Sequence, residues 1–296
     1  MGKIIVGYDG RSVSDDALAL ARKLAVAYGD ELIVAAAYGF EQHPDPDADG
    51  DYFQRRARYF EQTFARAAEQ LGATPFAAEA IDDLPGRGLY MLAEGEGARI
   101  AVVGSTTRSR VGRALLGSTG EALLHAAPCA VAIAPRGYAG SEHPALGLIG
   151  AGFDGNDDSA RAVAEALRLA KLMDAELELI CVRPVLRWPV SPAGPAELSE
   201  QDIRERLERL AGPLDPDRVR LVIDEGDPAE ALARIGIELD LLIFGSRGYG
   251  PVRRALLGST GTELMRVAPC PVLVVPRGEV DGRRGGNGAD SIEAAV

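Results

Sequence analysis

Apolar residues in this chain fall into short dense runs separated by longer amphipathic stretches. Ile4 to Val6 is the first run, and from Ser14 to Tyr28 the residues Leu18, Ala21, Ala25 and Tyr28 recur at helical spacing. A second run covers 32–37. It is followed by a long helical segment at about 52–71, whose arginines and glutamines make a solvated face. A run at 75–81, a helix at 87–97, a run at 99–103, a helix at 118–126 and a last run at 130–134 complete the pattern. The runs are nearly continuous in apolar character, as strands buried on both faces are. Strand–helix alternation of this kind predicts a parallel sheet covered by helices on both sides.

The whole pattern then repeats. "KIIVGYDG" (3–10) returns as "LGLIGAGFDG" (146–155), and "ELIVAAAY" (31–38) as "ELELICVR" (176–183). "ARIAVVGST" (98–106) answers "LDLLIFGSR" (239–247), and "APCAVAIAPRG" (127–137) answers "APCPVLVVPRG" (268–278). The offset is 145 residues at the front and 141 at the back. Self-similarity at a fixed period marks a duplication, with second-copy helices expected near 159–173, 199–211, 228–237 and 259–267. The expected architecture is α/β: two tandem doubly wound domains, 1–139 and 144–278, each a mostly parallel five-stranded sheet, related by a pseudo-two-fold. The tail 279–296 is glycine-rich without apolar periodicity and is expected to be disordered.

Composition narrows the function classes. The chain of 296 residues is 47% hydrophobic and 26% charged, a globular profile. No apolar stretch reaches the roughly 18 residues of a membrane span. The apolar run near the N-terminus is too short for a signal peptide, so the expected location is cytoplasmic. A net charge of −12 argues against nucleic acid as a partner. With lysine only at 3, 23 and 171, no G-x-x-x-x-G-K-[ST] loop exists. Cys129, Cys181 and Cys270 form no C-x-x-C, and His43, His125 and His143 show no ligand spacing, so no metal site is expected. Cys129 and Cys270 read as buried packing residues.

Candidate chemistry lies in a glycine string present twice. "GSTTRSRVGRALLGST" (104–119) and "GSRGYGPVRRALLGST" (245–260) are identical at ten of sixteen positions. Each opens at the end of a strand, where ligands of open α/β sheets lie. Each closes ahead of a predicted helix, whose free amides and dipole favour an anion. Glycines at 245, 248 and 258 would let the backbone approach phosphate oxygens, Ser259 and Thr260 add hydroxyls, and Arg247, Arg253 and Arg254 add charge. A purely structural reading stands beside this one, since Ser118-x-x-Glu121 and Thr260-x-x-Glu263 also have the form of capping boxes.

The second string fits G-x2-G-x9-G-[ST] at Gly245, Gly248, Gly258 and Ser259. An aspartate ends the first strand, "GDPAEAL" precedes a helix, and "PCPVLVVP" forms the last strand. In this order the chain resembles universal stress proteins of the ATP-binding type, with a Rossmann-like fold, over nearly its whole length. The resemblance implies that ATP or another adenine nucleotide is bound, with Mg2+ as its candidate companion. Asp154 would approach the ribose, Val182 would meet the adenine through its backbone, and Gly245, Gly248, Gly258, Ser259 and Thr260 would hold the phosphates. The equivalent first-copy positions are Asp9, Ala37, Gly104, Thr107, Gly117, Ser118 and Thr119. Asp9 and Asp154 also admit a plain role as helix caps. Thr107 departs from the pattern, and a β-branched residue suits neither φ > 0 nor an open phosphate cradle. The first copy also has "DDLPGRG" (82–88) in place of the "G-x-P-A" turn, so the expectation is one competent site in the second copy.

Two loops, "GFEQHPDPDADGD" (39–51) and "RPVLRWPVSPAGP" (183–195) with Trp188, would lie near the base by the family arrangement. Related proteins dimerise by antiparallel pairing of their last strands, which two copies on one chain can do internally; a homodimer remains a further candidate. Neither string contains lysine, histidine or glutamine, so hydrolysis is expected to be weak at most. The expected role is a nucleotide-dependent stress-response regulator, with a nucleotide-free scaffold or a slow ATPase as the alternatives.

Overall fold

The structure, a computed structural model, describes residues 1–39, 52–106, 115–126, 128–140, 145–183, 199–212, 215, 217–246 and 257–276. Thr107, Trp188, Arg247, Gly248, Arg253, Arg254 and the tail 279–296 lie outside the described residues.

The first copy runs β1 (Lys3–Gly7), α1 (Ser12–Tyr28), β2 (Glu31–Ala37), α2 (Tyr52–Leu71), β3 (Ala77–Ile81), α3 (Pro85–Glu96) and β4 (Ile100–Thr106). It continues through β5 (Leu115–Leu116) and α4 (Ser118–Ala126) to β6 (Ala130–Ala134). The second runs β7 (Leu148–Gly152), α5 (Asp157–Met173), β8 (Glu176–Arg183), α6 (Glu200–Ala211), β9 (Val219–Glu225), α7 (Pro228–Ile235) and β10 (Leu241–Gly245). It ends with α8 (Ser259–Val267) and β11 (Val272–Val275). The fold is therefore α/β, with a mostly parallel sheet flanked by helices.

Each copy does not keep a sheet to itself. Ten strands form one continuous sheet in the order β3-β2-β1-β4-β6-β11-β10-β7-β8-β9, with β5 added beside β4. Along that row every pairing is parallel except one, the antiparallel β6–β11 seam. At the seam Ala132 faces Leu273, Val131 faces Val274 and Ile133 faces Val272. The sequence offset of 141 maps Ala132 onto Leu273 and exchanges the other two pairs. A pseudo-two-fold axis therefore passes through the Ala132–Leu273 pair. Each five-stranded set would otherwise end on an open edge, which invites pairing with another chain; here the two edges cover each other.

Helices α1 and α5 share one face of the sheet, and one apolar cluster under them runs from Ile4 and Leu18 to Ile149 and Leu169. A second cluster on the opposite face gathers Val103, Leu123 and Leu124 with Leu232, Phe244 and Leu264. Across the seam Tyr28 at the end of α1 donates to Glu165 of α5 at 2.5 Å. Arg168 grips the same carboxylate through Nε at 3.1 Å and a terminal nitrogen at 2.8 Å, and lies 4.5 Å over the Tyr28 ring. Glu165 is only 9% exposed, so these bonds offset the cost of burying its charge. By the front offset the apolar Leu20 and Met173 stand where Glu165 and Tyr28 do, and Lys23, the counterpart of Arg168, donates instead to the Tyr138 hydroxyl at 3.0 Å.

Removing the Tyr28 hydroxyl leaves Glu165 with Arg168 alone. Tyr28→Phe is expected to cost about 1–2 kcal/mol, lowering Tm by roughly 2–8 °C in thermal denaturation; no change would mean that the bond carries nothing across the seam. The three cysteines are buried, and burial pushes the thiols of Cys129 and Cys270 up to about 12. Cys181 is raised too, chiefly by burial. A thiol far below its pKa holds little of the reactive thiolate. The native protein should therefore resist an aromatic disulfide reagent at pH 8, and all three thiols should react once denaturant is added. Rapid native reaction would contradict their packing.

Candidate functional site

In the second copy the chain winds outward from β7 through β8 to β9, then returns to lay β10 on the other side of β7. Connections leaving β7 and β10 diverge to opposite faces, which opens a crevice at the carboxyl edge between them. Asp154 follows β7, Val182 lies near the end of β8 and Gly245 ends β10. Helix α8 runs back from that same edge and begins at Ser259. The first copy repeats the arrangement with Asp9 after β1, Ala37 ending β2, Gly104 in β4 and Gly117 before α4. The fold thus gathers the sequence-predicted residues it describes at one edge per copy. Because the seam is antiparallel, the two edges lie on opposite sides of the sheet.

The aspartates organise the loop and leave helix capping to others. Asp154 Oδ1 accepts the Asn156 amide at 3.3 Å, and its Oδ2 accepts Asn156 Nδ2 at 3.0 Å. Asn156 itself caps α5, accepting the Ser159 amide at 2.8 Å. In the first copy Asp9 accepts the Arg11 amide at 3.0 Å and the Ser14 hydroxyl at 2.7 Å. The cap of α5 therefore falls to Asn156, while Asp9 holds the amide of Arg11, the residue just before α1. Arg206 of α6 donates to the Gly155 carbonyl at 2.9 Å. This places a cation beside the Asp154 loop that sequence reasoning missed, because its helix is distant along the chain.

Gly245 and Gly104 have a packing reason of their own. A Cβ on Gly245 would overlap the carbonyl oxygen of Asp158 in the first turn of α5, and one on Gly104 would overlap that of Val13 in α1. Helix and strand touch backbone to backbone there, so the glycine in β4 and the one ending β10 are accounted for without a ligand.

The helix that closes the second string has no capping box. Gly258 occupies the N-cap in an extended conformation (φ −65°, ψ 172°) without a side-chain cap, and its carbonyl accepts from Thr262 at 2.9 Å. Thr260 is thus already inside the helix and cannot cap it. In the first copy Glu121 donates to the Gly117 carbonyl at 3.0 Å, and Ser118 is likewise inside α4. Both helices start one or two residues earlier than the capping motif requires. An N-terminus without a side-chain cap keeps its dipole and first amides available to an anion.

Sequence reasoning also passed over Ser105 and Ser246, the residues after the strand glycines. They are 3% and 1% exposed, and neither hydroxyl meets a hydrogen-bond partner among the described residues. A buried hydroxyl without a partner costs about 1–3 kcal/mol and is rare enough to require a reason. The clue was in the text, for "GS" opens both strings.

The two edges differ. In the first copy β4 continues to Thr106 and pairs antiparallel with β5, Ser105 facing Leu116. Beyond Ala37, the Tyr38 ring packs against Tyr52 (5.8 Å), Tyr59 (5.2 Å) and Phe60 (6.2 Å), with Tyr38, Tyr52 and Phe60 nearly buried. In the second copy β10 ends at Gly245, and Arg183, the counterpart of Tyr38, pairs with Glu225 at 2.5 Å. Among the described residues no group of three or more His, Cys, Asp or Glu is placed to hold a metal ion, and no helix is long and apolar enough to cross a membrane.

A mostly parallel, doubly wound sheet with helices on both faces defines a Rossmann-type α/β protein. The chain belongs to the Universal stress protein family, whose sequence profile matches residues 1–135 and 148–276, once per copy. It is 30% identical over 298 residues to a universal stress protein of Mycobacterium tuberculosis, covering 92% of this chain and 99% of that one. The crystal structure of a universal stress protein from Archaeoglobus fulgidus superposes with a TM-score of 0.70 at 22% identity, over 93% of this chain and 98% of that one. A putative universal stress protein from Pseudomonas aeruginosa gives 0.61 at 19% identity, over 92% of each chain. These structures share the fold across both copies.

The packing role of Gly245 has a direct consequence. Gly245→Ala should destabilise the ligand-free protein by about 1–3 kcal/mol through overpacking, a fall of roughly 2–12 °C in Tm. An unchanged Tm would return this glycine to a purely ligand-driven role.

Proposed function

We propose that the chain binds ATP or another adenine nucleotide at the carboxyl edge of its second copy and acts as a nucleotide-dependent regulator. The observation that carries this reading is the convergence, at one strand-switch crevice, of the uncapped α8 N-terminus, the buried Ser246 hydroxyl and the Asp154 loop. In this reading the phosphates rest on the amides and hydroxyls of Gly258, Ser259 and Thr260. Asp154 takes the ribose, and the backbone at Val182 meets the base. Arg247 and Gly248 complete the motif by sequence and lie outside the described residues. The donors fit the group: hydroxyls and helix amides donate, and phosphate oxygens only accept hydrogen bonds. With no carboxylate cluster among the described residues, Mg2+ would arrive on the nucleotide rather than in a site of its own.

Two observations support the second copy over the first. β5 pairs along the string of the first copy beside Ser105, and the Tyr38 cluster fills the end of β2 where a base would lie. Neither string offers a lysine, histidine or glutamine to orient an attacking water, so the bound nucleotide serves as a signal whose occupancy shifts a conformational equilibrium.

Calorimetric titration with ATP tests the site. Wild type should bind, Asp154→Ala should weaken binding at least about tenfold, roughly 1.4 kcal/mol, and Asp9→Ala should leave it unchanged. Absence of heat with wild type would leave a nucleotide-free scaffold. Equal losses from both variants would remove the distinction between the copies.

A further inference from the structure

Ser246 buries a hydroxyl that finds no partner among the described residues, at the strand end next to the proposed site. Its backbone is fixed, since the amide donates to the Val275 carbonyl at 2.9 Å. Side chains alternate faces along a strand. Phe244 lies in the cluster with Leu232 of α7 and Leu264 of α8, whereas Gly245 abuts α5 on the opposite face. Ser246 therefore stands on the α8 face. The first turn of α8 sits over this face too: a Cβ on Gly261 would lie 3.0 Å from the Phe244 ring. Asp154 follows β7 and Val182 lies in β8, and both strands stand on the other side of β10 from β11, the strand to which α8 leads.

We infer that Ser246 is a phosphate-contacting residue, its hydroxyl donating to an oxygen of the phosphate chain held at the α8 N-terminus. The inference rests on the nucleotide reading above. Its chemistry is selective, because phosphate oxygens accept hydrogen bonds and an unpaired hydroxyl has one to give. The position on the helix side, away from Asp154 and Val182, assigns the hydroxyl to phosphate rather than to ribose or base. Such a residue trades stability for binding, since its hydroxyl is unsatisfied until the ligand arrives. Removing it should therefore move ligand-free stability and affinity in opposite directions, which a merely structural serine would not do.

The test is Ser246→Ala, followed by thermal denaturation without ligand and by titration with ATP, inorganic tripolyphosphate and adenosine. The expected result is a ligand-free Tm equal to or above wild type, with about tenfold weaker binding of ATP and of tripolyphosphate and unchanged binding of adenosine. Ser246→Thr, which keeps the hydroxyl, should retain most of the affinity. Ser105→Ala should raise the ligand-free Tm in the same way and leave ATP binding alone. Wild-type binding of ATP with Ser246→Ala equal to it would overturn this inference and leave the nucleotide reading standing. Equal losses for adenosine and ATP would overturn the assignment to phosphate. No ATP binding by wild type would bring down the nucleotide reading and this inference together.

Discussion

A strand at the edge of a sheet presents a row of unpaired amides and carbonyls, and each copy in this chain would finish on such a strand, buried and almost wholly apolar. The antiparallel meeting of β6 and β11 removes both edges at once. Much else follows from that contact. It fixes the pseudo-two-fold at Ala132 and Leu273, brings α1 against α5, and sets the Tyr28–Glu165–Arg168 network across the join. It also sends the carboxyl edges of the two copies to opposite sides of the sheet. The two strand-end edges built from one repeated sequence thereby lie apart, and each is free to diverge.

The divergence is concentrated at those edges. The parallel strands and the helices above them follow one order in both copies, down to the glycine at which β4 and β10 meet the first turn of α1 and α5. Past that point the copies part. One extends its strand, adds β5 and fills the end of β2 with tyrosine and phenylalanine. The other stops its strand at Gly245 and leaves a buried hydroxyl and an uncapped helix at the same corner. The core sets the fold, and the segments beyond the strand ends carry the difference in chemistry.

Most of this architecture could be read from the sequence, because strand–helix alternation and internal repetition are properties of burial, which apolar patterning records directly. The helix starting at Ser12 was expected at 14, and the one starting at Pro85 at 87, since a first turn exposes too little apolar surface to announce itself. The β5 ribbon was not legible: two residues pairing with neighbours nine and eleven positions away leave no period to detect. Site details were harder. Whether Thr260 caps a helix depends on where the helix begins, and Gly258 took that position with a backbone conformation the sequence does not display. Gly245 looked like a residue cleared for a ligand, when the close approach of α5 already demands it. Ser246 looked ordinary because orphanhood is a three-dimensional property.

The central claim is that one duplicated chain keeps a single nucleotide site. Native mass spectrometry of the intact protein with saturating ATP counts bound ligands per chain directly. The account predicts one ATP per chain. Two per chain would contradict the inequivalence of the edges, and none would contradict the site itself.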